Sequence, residues 1–389
     1  MIPKNPHDLK VELLKAAIDS LSIPPGIYDK AVERYKSVTA FLEKPGTRVA
    51  AWNPSQFVQG SAALGLAIRP LGKDDFDFDV SCEVTPPAHL TSNQVRKEVE
   101  ARLREDANYA RMLNTSKMRC LRLDYAEAEK FHLDIVVGRI ARWLSLTGTA
   151  VQIPDKAAEQ WVGSDPRSYI EWFKVRQKVT QRVTALNSFS NVKKADVAPA
   201  PEQPESNEKM PLQWVIQAMK RHRDLSFQGQ KSADAPISII ITTLAAKAYQ
   251  GEADILDALR NITARMLDHF DDGTGRSVVF NPVLSSENFA DKWPLKPHRR
   301  RAFFEWHGAF SRDVHALLVA DKIVGISGAL EKLVGEGANG AAFAAHASAI
   351  KTMQDTKTLG VTTAFATLGS TAAGARPMPA HTNFGRNVT

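Results

Sequence analysis

Asp75, Asp77 and Asp79 alternate with Phe76, Phe78 and Val80, and a further aspartate, Asp134, interrupts the apolar run Phe131-His-Leu-Asp-Ile-Val-Val. In a β-strand, residues i and i+2 point to one side, so the first three aspartates share a face while Phe76, Phe78 and Val80 enter a core. The same alternation sets His132, Asp134 and Val136 opposite Phe131, Leu133 and Ile135. Carboxylates on one face repel each other, and Asp is disfavoured in strands, so a cation partner is the simplest explanation for the pattern. A carboxylate inside an apolar strand must likewise be paired or bind metal. Hard oxygen ligands suit Mg²⁺ or Mn²⁺. Such ions can activate an attacking hydroxyl and neutralise a leaving pyrophosphate, which points to nucleotidyl transfer. Asp124 also falls in a strand, where a turn-facing or salt-bridged role fits it equally well.

Other residues suit the substrate of that chemistry. Gly60-Ser61 ends a strand-like run; glycine allows close backbone approach, and the N–H groups opening a following helix attract phosphate. As a dipeptide alone it also reads as an ordinary helix start. Lys220, in the run Lys-Arg-His-Arg-Asp224, is a compact charge suited to phosphate, whereas Arg221 and Arg223 read as a solvated helix face. Ser238 follows Pro236 at an expected helix N-terminus, where hydroxyl and dipole together favour anions, or simply cap the helix.

The elements that must position these groups can be outlined from periodicity. Residues 8–44 read as helical with a break at Pro24-Pro25-Gly26, and Ala31, Tyr35, Val38 and Leu42 fall at helical spacing. Short strands are expected at Arg48–Trp52, Gln56–Val58, Phe76–Val80, Cys120–Tyr125 and Phe131–Val137. Helices are expected at about 92–112 and at Pro166–Arg182, the latter burying Trp172 and Phe173. Asp196–Lys209, with Pro199, Pro201 and Pro204, is the clearest loop. Beyond it Leu212, Val215, Ile216 and Met219 mark an amphipathic helix, Pro236–Tyr249 opens another, and helical patterns run to about 353, interrupted by Asn281–Pro297. The Thr-, Ala- and Gly-rich tail beyond 357 reads as poorly ordered. The expected arrangement is a mixed α/β half and a mostly helical half, with the ligand in the cleft between them.

Composition bounds the alternatives. With 389 residues the chain can hold two lobes, and a net charge of +7 suits an anionic ligand such as nucleotide phosphate. Two cysteines, Cys82 and Cys120, provide neither a disulfide framework nor a cysteine-based zinc site. The N-terminus lacks the apolar run of a signal peptide, and nothing approaches the ~18–20 apolar residues of a membrane span, so a cytoplasmic protein without membrane partners is expected.

Gln59-Gly-Ser-Ala-Ala-Leu-Gly-Leu-Ala-Ile-Arg-Pro-Leu71, Phe76-Asp-Phe-Asp-Val80 and Phe131-His-Leu-Asp-Ile-Val136 together resemble the bacterial cGAS/DncV-like nucleotidyltransferases (CD-NTases) of the DNA polymerase β superfold. So do Ser164–Phe173, Pro211–Asp224, Ala235–Ile239, Asn281–Val283 and Glu287–Trp293, and the resemblance covers roughly 8–310. Leu66 and Val137 stand where many members have Thr and Pro, positions that supply no metal oxygen.

The resemblance implies an α+β fold, a polymerase β-like sheet core with a C-terminal helical domain, bilobed around a central cleft. The implied organisation is a nucleotidyltransferase core with N-terminal helices at 1–190, a Pro-rich loop at 191–210, a helical domain at 211–356 and a flexible tail at 357–389. It makes Asp77, Asp79 and Asp134 the catalytic, metal-ligating set, with Asp75 secondary. It assigns Gly60 and Ser61 to the triphosphate from one lobe and Lys220 and Ser238 from the other. The implied activity is Mg²⁺- or Mn²⁺-dependent synthesis of a cyclic di- or trinucleotide second messenger in anti-phage (CBASS) defence. Its substrates would be ATP, with GTP or pyrimidine triphosphates as further candidates.

The alternatives are a linear oligoadenylate synthetase-like or other template-independent nucleotidyltransferase, and an inactive nucleotide-binding sensor. The tail Pro379–Gly385 resembles a motif that ancillary CBASS proteins conjugate to a target in some members, although Arg386–Thr389 follow the glycine here. Without a Cys/His zinc insertion or a long basic run, activation by nucleic acid is not expected.

Overall fold

The computed structural model describes residues 5–72, 74–125, 129–156, 159–179, 199–206, 208–271, 278–356, 358–361, 368–370 and 376–377. Much of the Pro-rich stretch before 199, the end of the helix expected to reach Arg182, and the tail motif Pro379–Gly385 lie outside the described residues. The chain divides into two compact units, one from residues 1–21 with 312–389 and one from 22–311.

The larger unit is built on a seven-stranded mixed sheet. Its path runs β1 (Ser55–Val58), β2 (Phe76–Val84), β5 (Phe131–Ile140), β4 (Leu121–Asp124) and β3 (Leu113–Asn114), while β6 (Val151–Asp155) pairs β5 and β7 (Gln160–Ser164) pairs β6. Among the described strands β2 and β5 alone pair in parallel, and their register sets Asp77 beside His132 and Asp79 beside Asp134. Strands β1 and β4 flank this pair in antiparallel fashion, and Arg122 of β4 stands opposite Asp134.

The alternation read from the sequence holds at the front of β2: Phe76, Phe78 and Val80 are buried, whereas Asp77 and Asp79 reach outward. Behind the sheet α2 (Pro25–Leu42) presents Ala31, Tyr35, Val38 and Leu42, all buried, and α5 (Ser92–Arg104) presents Val95, Val99 and Leu103. Phe78 sits at the centre of an aromatic group, 5.7 Å from Tyr28, 6.4 Å from Tyr35 and 6.0 Å from Phe76 between ring centroids. The Tyr35 hydroxyl donates to the Gln56 carbonyl at 3.0 Å and so ties α2 to β1.

Two local expectations change. Arg48–Ala51 forms a short helix, α3, instead of a strand, because the Thr47 hydroxyl accepts the Ala50 N–H at 3.2 Å. Five residues with an apolar middle do not distinguish period 2 from period 3.6, and the N-cap decides. The helix expected over 92–112 is two, α5 and α6 (Ala107–Met112), because Asp106 caps the second by accepting from Asn108 N and Tyr109 N.

Helices α4 (Gly60–Ala63) and α7 (Pro166–Gln177) complete the sheet-bearing part; in α7 Phe173 is buried and Trp172 half-buried. Then follow α8 (Pro211–Ser226), α9 (Ser238–Ala248), α10 (Ile255–Arg265), the hairpin β8–β9 (Phe280–Asn281 and Leu284–Asn288) and α11 (Pro297–Val319). In the smaller unit, α1 (Pro6–Asp19) packs with α12 (Ile323–Val334) and α13 (Glu336–Asp355). There Lys10 donates to the Leu318 carbonyl at 2.7 Å, and His346 pairs with Glu12. No helix among the described residues is long and apolar enough to cross a membrane.

Because Phe78 is fully buried between α2 and the strand that carries the aspartates, Phe78→Ala should destabilise the larger unit by about 3–5 kcal/mol. Urea unfolding of the two proteins measures this.

Candidate active site

The parallel register of β2 and β5 brings three carboxylates to one end of the sheet. Asp79 and Asp134 are lateral neighbours on adjacent strands, and Asp77 lies one pleat nearer the strand start. Asp77 is the open member, with its side chain 56% exposed, whereas Asp134 is buried. Burial, then the charges of Asp134 and Asp77, push the Asp79 carboxyl up to about 8. Such a shift records a cluster short of positive charge.

The cation that answers it is Arg122. From β4 its Nε and Nη2 donate to the two oxygens of Asp134, each at 2.7 Å, and Nη2 also donates to Asp77 Oδ1 at 2.7 Å. Burial alone would lower the pKa of this guanidinium, but its hydrogen bonds to Asp134 and the charge of Asp77 raise it above the usual arginine value. Arg122 escaped the sequence reading. The one available signal was an arginine alternating with Leu121 and Leu123, both fully buried, in a strand expected to lie near the aspartates. Asp75 and Asp124 turn elsewhere: His132 lies 3.7 Å from Asp75 Oδ2 and 3.0 Å from Asp124 Oδ1.

The Gly60 turn meets the carboxylates from the side of β1. Gln59 N donates to the Asp79 carbonyl at 2.9 Å, and Gly60 adopts φ +63°. A Cβ at Gly60 would lie 2.2 Å from Asp79 Oδ2. Glycine is therefore required twice, for the backbone conformation and for the approach to Asp79. Ser61 follows in the first turn of α4, and its carbonyl accepts the Leu66 N–H at 2.9 Å as the chain folds back.

From Leu64 to Arg69 the chain has no regular partner, and α8 supplies one. Gln213 Nε2 donates to the Leu64 carbonyl (3.1 Å), Lys220 Nζ to that of Leu66 (2.8 Å), Gln217 Nε2 to that of Ala67 (3.2 Å), and Arg221 to that of Arg69. Positions 213, 217, 220 and 221 share one helix face. Arg221 is thus buried, which overturns its reading as a solvated residue. Arg223 is not merely solvated either: it pairs with Asp224 at 2.6 Å and donates to Ser238 Oγ at 2.7 Å.

A cleft of about 940 Å³ results, with Gly60, Ser61, Asp77, Asp79, Lys220 and Ser238 all in its wall. Six of the seven candidate residues therefore meet in one cavity, and Asp134 stands outside that wall. Burial, then Arg223, lower the Lys220 ammonium to about 8. A second cavity of about 380 Å³ shares Gly60 and Asp79 with the first and is lined further by Arg119, Asn281, Glu287 and Trp293. Asn281 Nδ2 donates to Glu287 Oε2 at 2.7 Å, and burial holds the Glu287 carboxyl above its ordinary range.

The donor chemistry of Asp77, Asp79 and Asp134 fits a hard divalent cation. As they stand, though, no three His, Cys, Asp or Glu side chains among the described residues are arranged to hold an ion, because the cluster is organised around the guanidinium.

The chain is similar to several known proteins. The family described as the Second Messenger Oligonucleotide or Dinucleotide Synthetase domain (SMODS) matches residues 12–177. A c-di-GMP synthase of Roseivirga ehrenbergii is 33% identical over 258 residues, covering 64% of each chain. The cyclic dinucleotide synthase CdnG of Bradyrhizobium diazoefficiens is 29% identical over 342 residues, covering 80% of this chain and 76% of the relative. The structure of the B. diazoefficiens CD-NTase CdnG in complex with GTP superposes with a TM-score of 0.65 at 22% identity, covering 87% of this chain and 98% of that one. The Vibrio cholerae DncV cyclic AMP-GMP synthase with nonhydrolyzable GTP gives 0.52 at 15% identity, covering 85% and 86%. The chain thus spans just under two thirds of the length of the c-di-GMP synthase. The α+β fold expected from the sequence is the fold of these structures.

Two outcomes follow from the site. Gly60 and Gly72 have nearly the same positive φ, +63° and +62°, but a Cβ at Gly72 would meet nothing within 4 Å. Gly72→Ala should therefore cost only the left-handed conformation, about 1–2 kcal/mol. Gly60→Ala should cost clearly more, as thermal unfolding of both will read. The second outcome concerns pH. The folded Asp79 carboxyl titrates near 8 against 3.8 for the free group, so between those values the folded chain holds a proton that the unfolded chain releases. Its stabilising contribution is complete below the lower value and is lost as pH rises through the upper one. In EDTA, Asp79→Asn should be more stable than the native protein by a margin that widens from pH 5 to pH 8, on the order of 1–3 kcal/mol. A margin that stays constant or narrows contradicts the assignment.

Proposed function

We propose that the chain is a cGAS/DncV-like nucleotidyltransferase, a synthase joining nucleoside triphosphates into a cyclic di- or trinucleotide. The product would serve as a second messenger in anti-phage defence. The observation that carries this reading is the junction of two cavities, about 940 and 380 Å³, at Gly60 and Asp79. One carboxylate end of the sheet can then face two nucleotides at once, as bond formation between them requires.

Asp77, Asp79 and Asp134 would hold the divalent metal on which nucleotidyltransferases of this fold depend; Mg²⁺ is the proposed ion and Mn²⁺ its substitute. When bound, it supplies positive charge for the leaving pyrophosphate and favours ionisation of the attacking hydroxyl. The triphosphate lies in the larger cleft, against the N–H groups of the Gly60-Ser61 turn and the Ser61 hydroxyl on one side. Lys220 and Ser238 hold it from the other side. A 2′- or 3′-hydroxyl oxygen of the neighbouring nucleotide bonds to the α-phosphorus, the bond to pyrophosphate breaks, and the hydroxyl proton leaves to water. A further transfer, with the linear product as its own acceptor, closes the ring and releases another pyrophosphate. The carbonyl bonds from α8 keep the turn in place through both rounds.

The relatives' names make GTP the first substrate to test, alone and with ATP. Incubation with the four triphosphates and Mg²⁺, followed by phosphatase and mass spectrometry, should yield a phosphatase-resistant cyclic product. A linear, phosphatase-sensitive product would favour the oligoadenylate synthetase alternative, and no metal-dependent turnover would favour the sensor. Asp77→Asn should lower product formation by about 100-fold or more while leaving the thermal unfolding profile cooperative.

A further inference from the structure

Arg122 does more than balance charge. Its guanidinium spans two of the carboxylates that would hold the metal, with both oxygens of Asp134 and Oδ1 of Asp77 each 2.7 Å from a donor nitrogen. The residue cannot leave the site, because β4 is held opposite β5 in register and Leu121 and Leu123 on either side of it are fully buried. Its bonds are unequal. The pair with Asp134 is bidentate and buried, with the two side chains 12% and 11% exposed. The bond to Asp77 is single, shares Nη2 with Asp134, and ends on a side chain that is 56% exposed. An exposed single contact is much the easier to exchange.

We propose that Arg122 is an exchangeable counter-cation that stands among the metal-ligating carboxylates of the nucleotide-free protein, and that a divalent ion must displace it from Asp77 before these carboxylates can hold the metal. The proposal rests on the reading of Asp77, Asp79 and Asp134 as metal ligands. Formal charge shows why the exchange favours metal arriving with its nucleotide. Once metal binding has drawn the proton from Asp79, three carboxylates and one guanidinium leave −3 + 1 = −2, which a single divalent ion cancels. Any second ion is then drawn by the triphosphate's own charge and not by the protein. Free metal therefore competes with a resident cation for the first place and finds little attraction for a second.

Mn²⁺ binding to the nucleotide-free protein, read from the loss of the free-ion EPR signal, tests this without reference to turnover. Arg122→Met removes the competitor and should bind Mn²⁺ about tenfold or more tightly than the native chain. Arg122→Lys keeps the charge, but its ammonium cannot make the bidentate bridge, so its affinity should fall between the two. It also serves as the readout should Arg122→Met not fold. Equal affinity in native and variant proteins, or weaker binding in the variants, overturns the proposal. In that case binding that Asp134→Asn still abolishes leaves the metal site itself intact. Absence of Mn²⁺ binding from every one of these nucleotide-free proteins overturns both the counter-cation and the metal site.

Discussion

Everything at the head of this sheet answers to one electrostatic constraint. Parallel pairing of β2 with β5 sets Asp79 beside Asp134, and the strand alternation adds Asp77 on the same face. Two unit charges about 5 Å apart repel by roughly 3 kcal/mol at an effective dielectric constant near 20. Three such charges would undo a good part of a domain's net stability if nothing opposed them. The structure meets this by placing an antiparallel strand on the far side of β5 with Arg122 in register with Asp134, and by leaving Asp79 with a raised pKa. Strand order and register are therefore bound up with the charge of the site. A slip of one residue between β4 and β5 would turn Arg122 to the opposite face and leave the cluster without its cation.

A second constraint links the sheet to the helices that follow. The stretch from Leu64 to Arg69 carries the Gly60 turn back toward β2 without joining any ladder, and buried carbonyls without donors cost free energy. Helix α8 supplies four donors from a single face, and all four of those side chains, Gln213, Gln217, Lys220 and Arg221, are buried. The helix is thus part of the Gly60 loop's structure as well as a wall of the cleft. Movement of α8 would be felt directly at Gly60 and, through the bond from Gln59 to the Asp79 carbonyl, at the carboxylates.

The legibility of this site in the sequence follows the range of its interactions. Alternation along Phe76–Val80 and Phe131–Val137 located the strands and their polar faces, and the helical spacing of Ala31, Tyr35, Val38 and Leu42 located the support behind them. Both are periodicities of a single element. Arg48–Ala51 was misread because a capping hydrogen bond from Thr47 outweighs a short apolar pattern. Arg122 and Arg221 were missed for a different reason. Their partners are an aspartate across a strand pair and a carbonyl about 150 residues away, and neither pairing leaves a mark on local spacing. A charged run such as Lys220–Asp224 looks solvated until the fold shows which carbonyls need it.

Lys220 shows how the two constraints meet in one side chain. An ammonium offers three donors, and among the described residues one is committed, to the Leu66 carbonyl. Burial and the nearby Arg223 bring its pKa down to about 8, while Asp224, Asp79 and Asp77 act in the opposite sense. A triphosphate entering the cleft would add negative charge near the remaining donors and favour the charged form, offsetting the desolvation that now opposes it. The same anion would sit near Arg223, which is held to Asp224 and Ser238. Lys220 and Arg223 are therefore held by partners within the protein, as Arg122 is held among the carboxylates. On the proposed function, metal and triphosphate would compete with these internal partners for Arg122 and Arg223, while the Lys220 bond to Leu66 remains part of the loop.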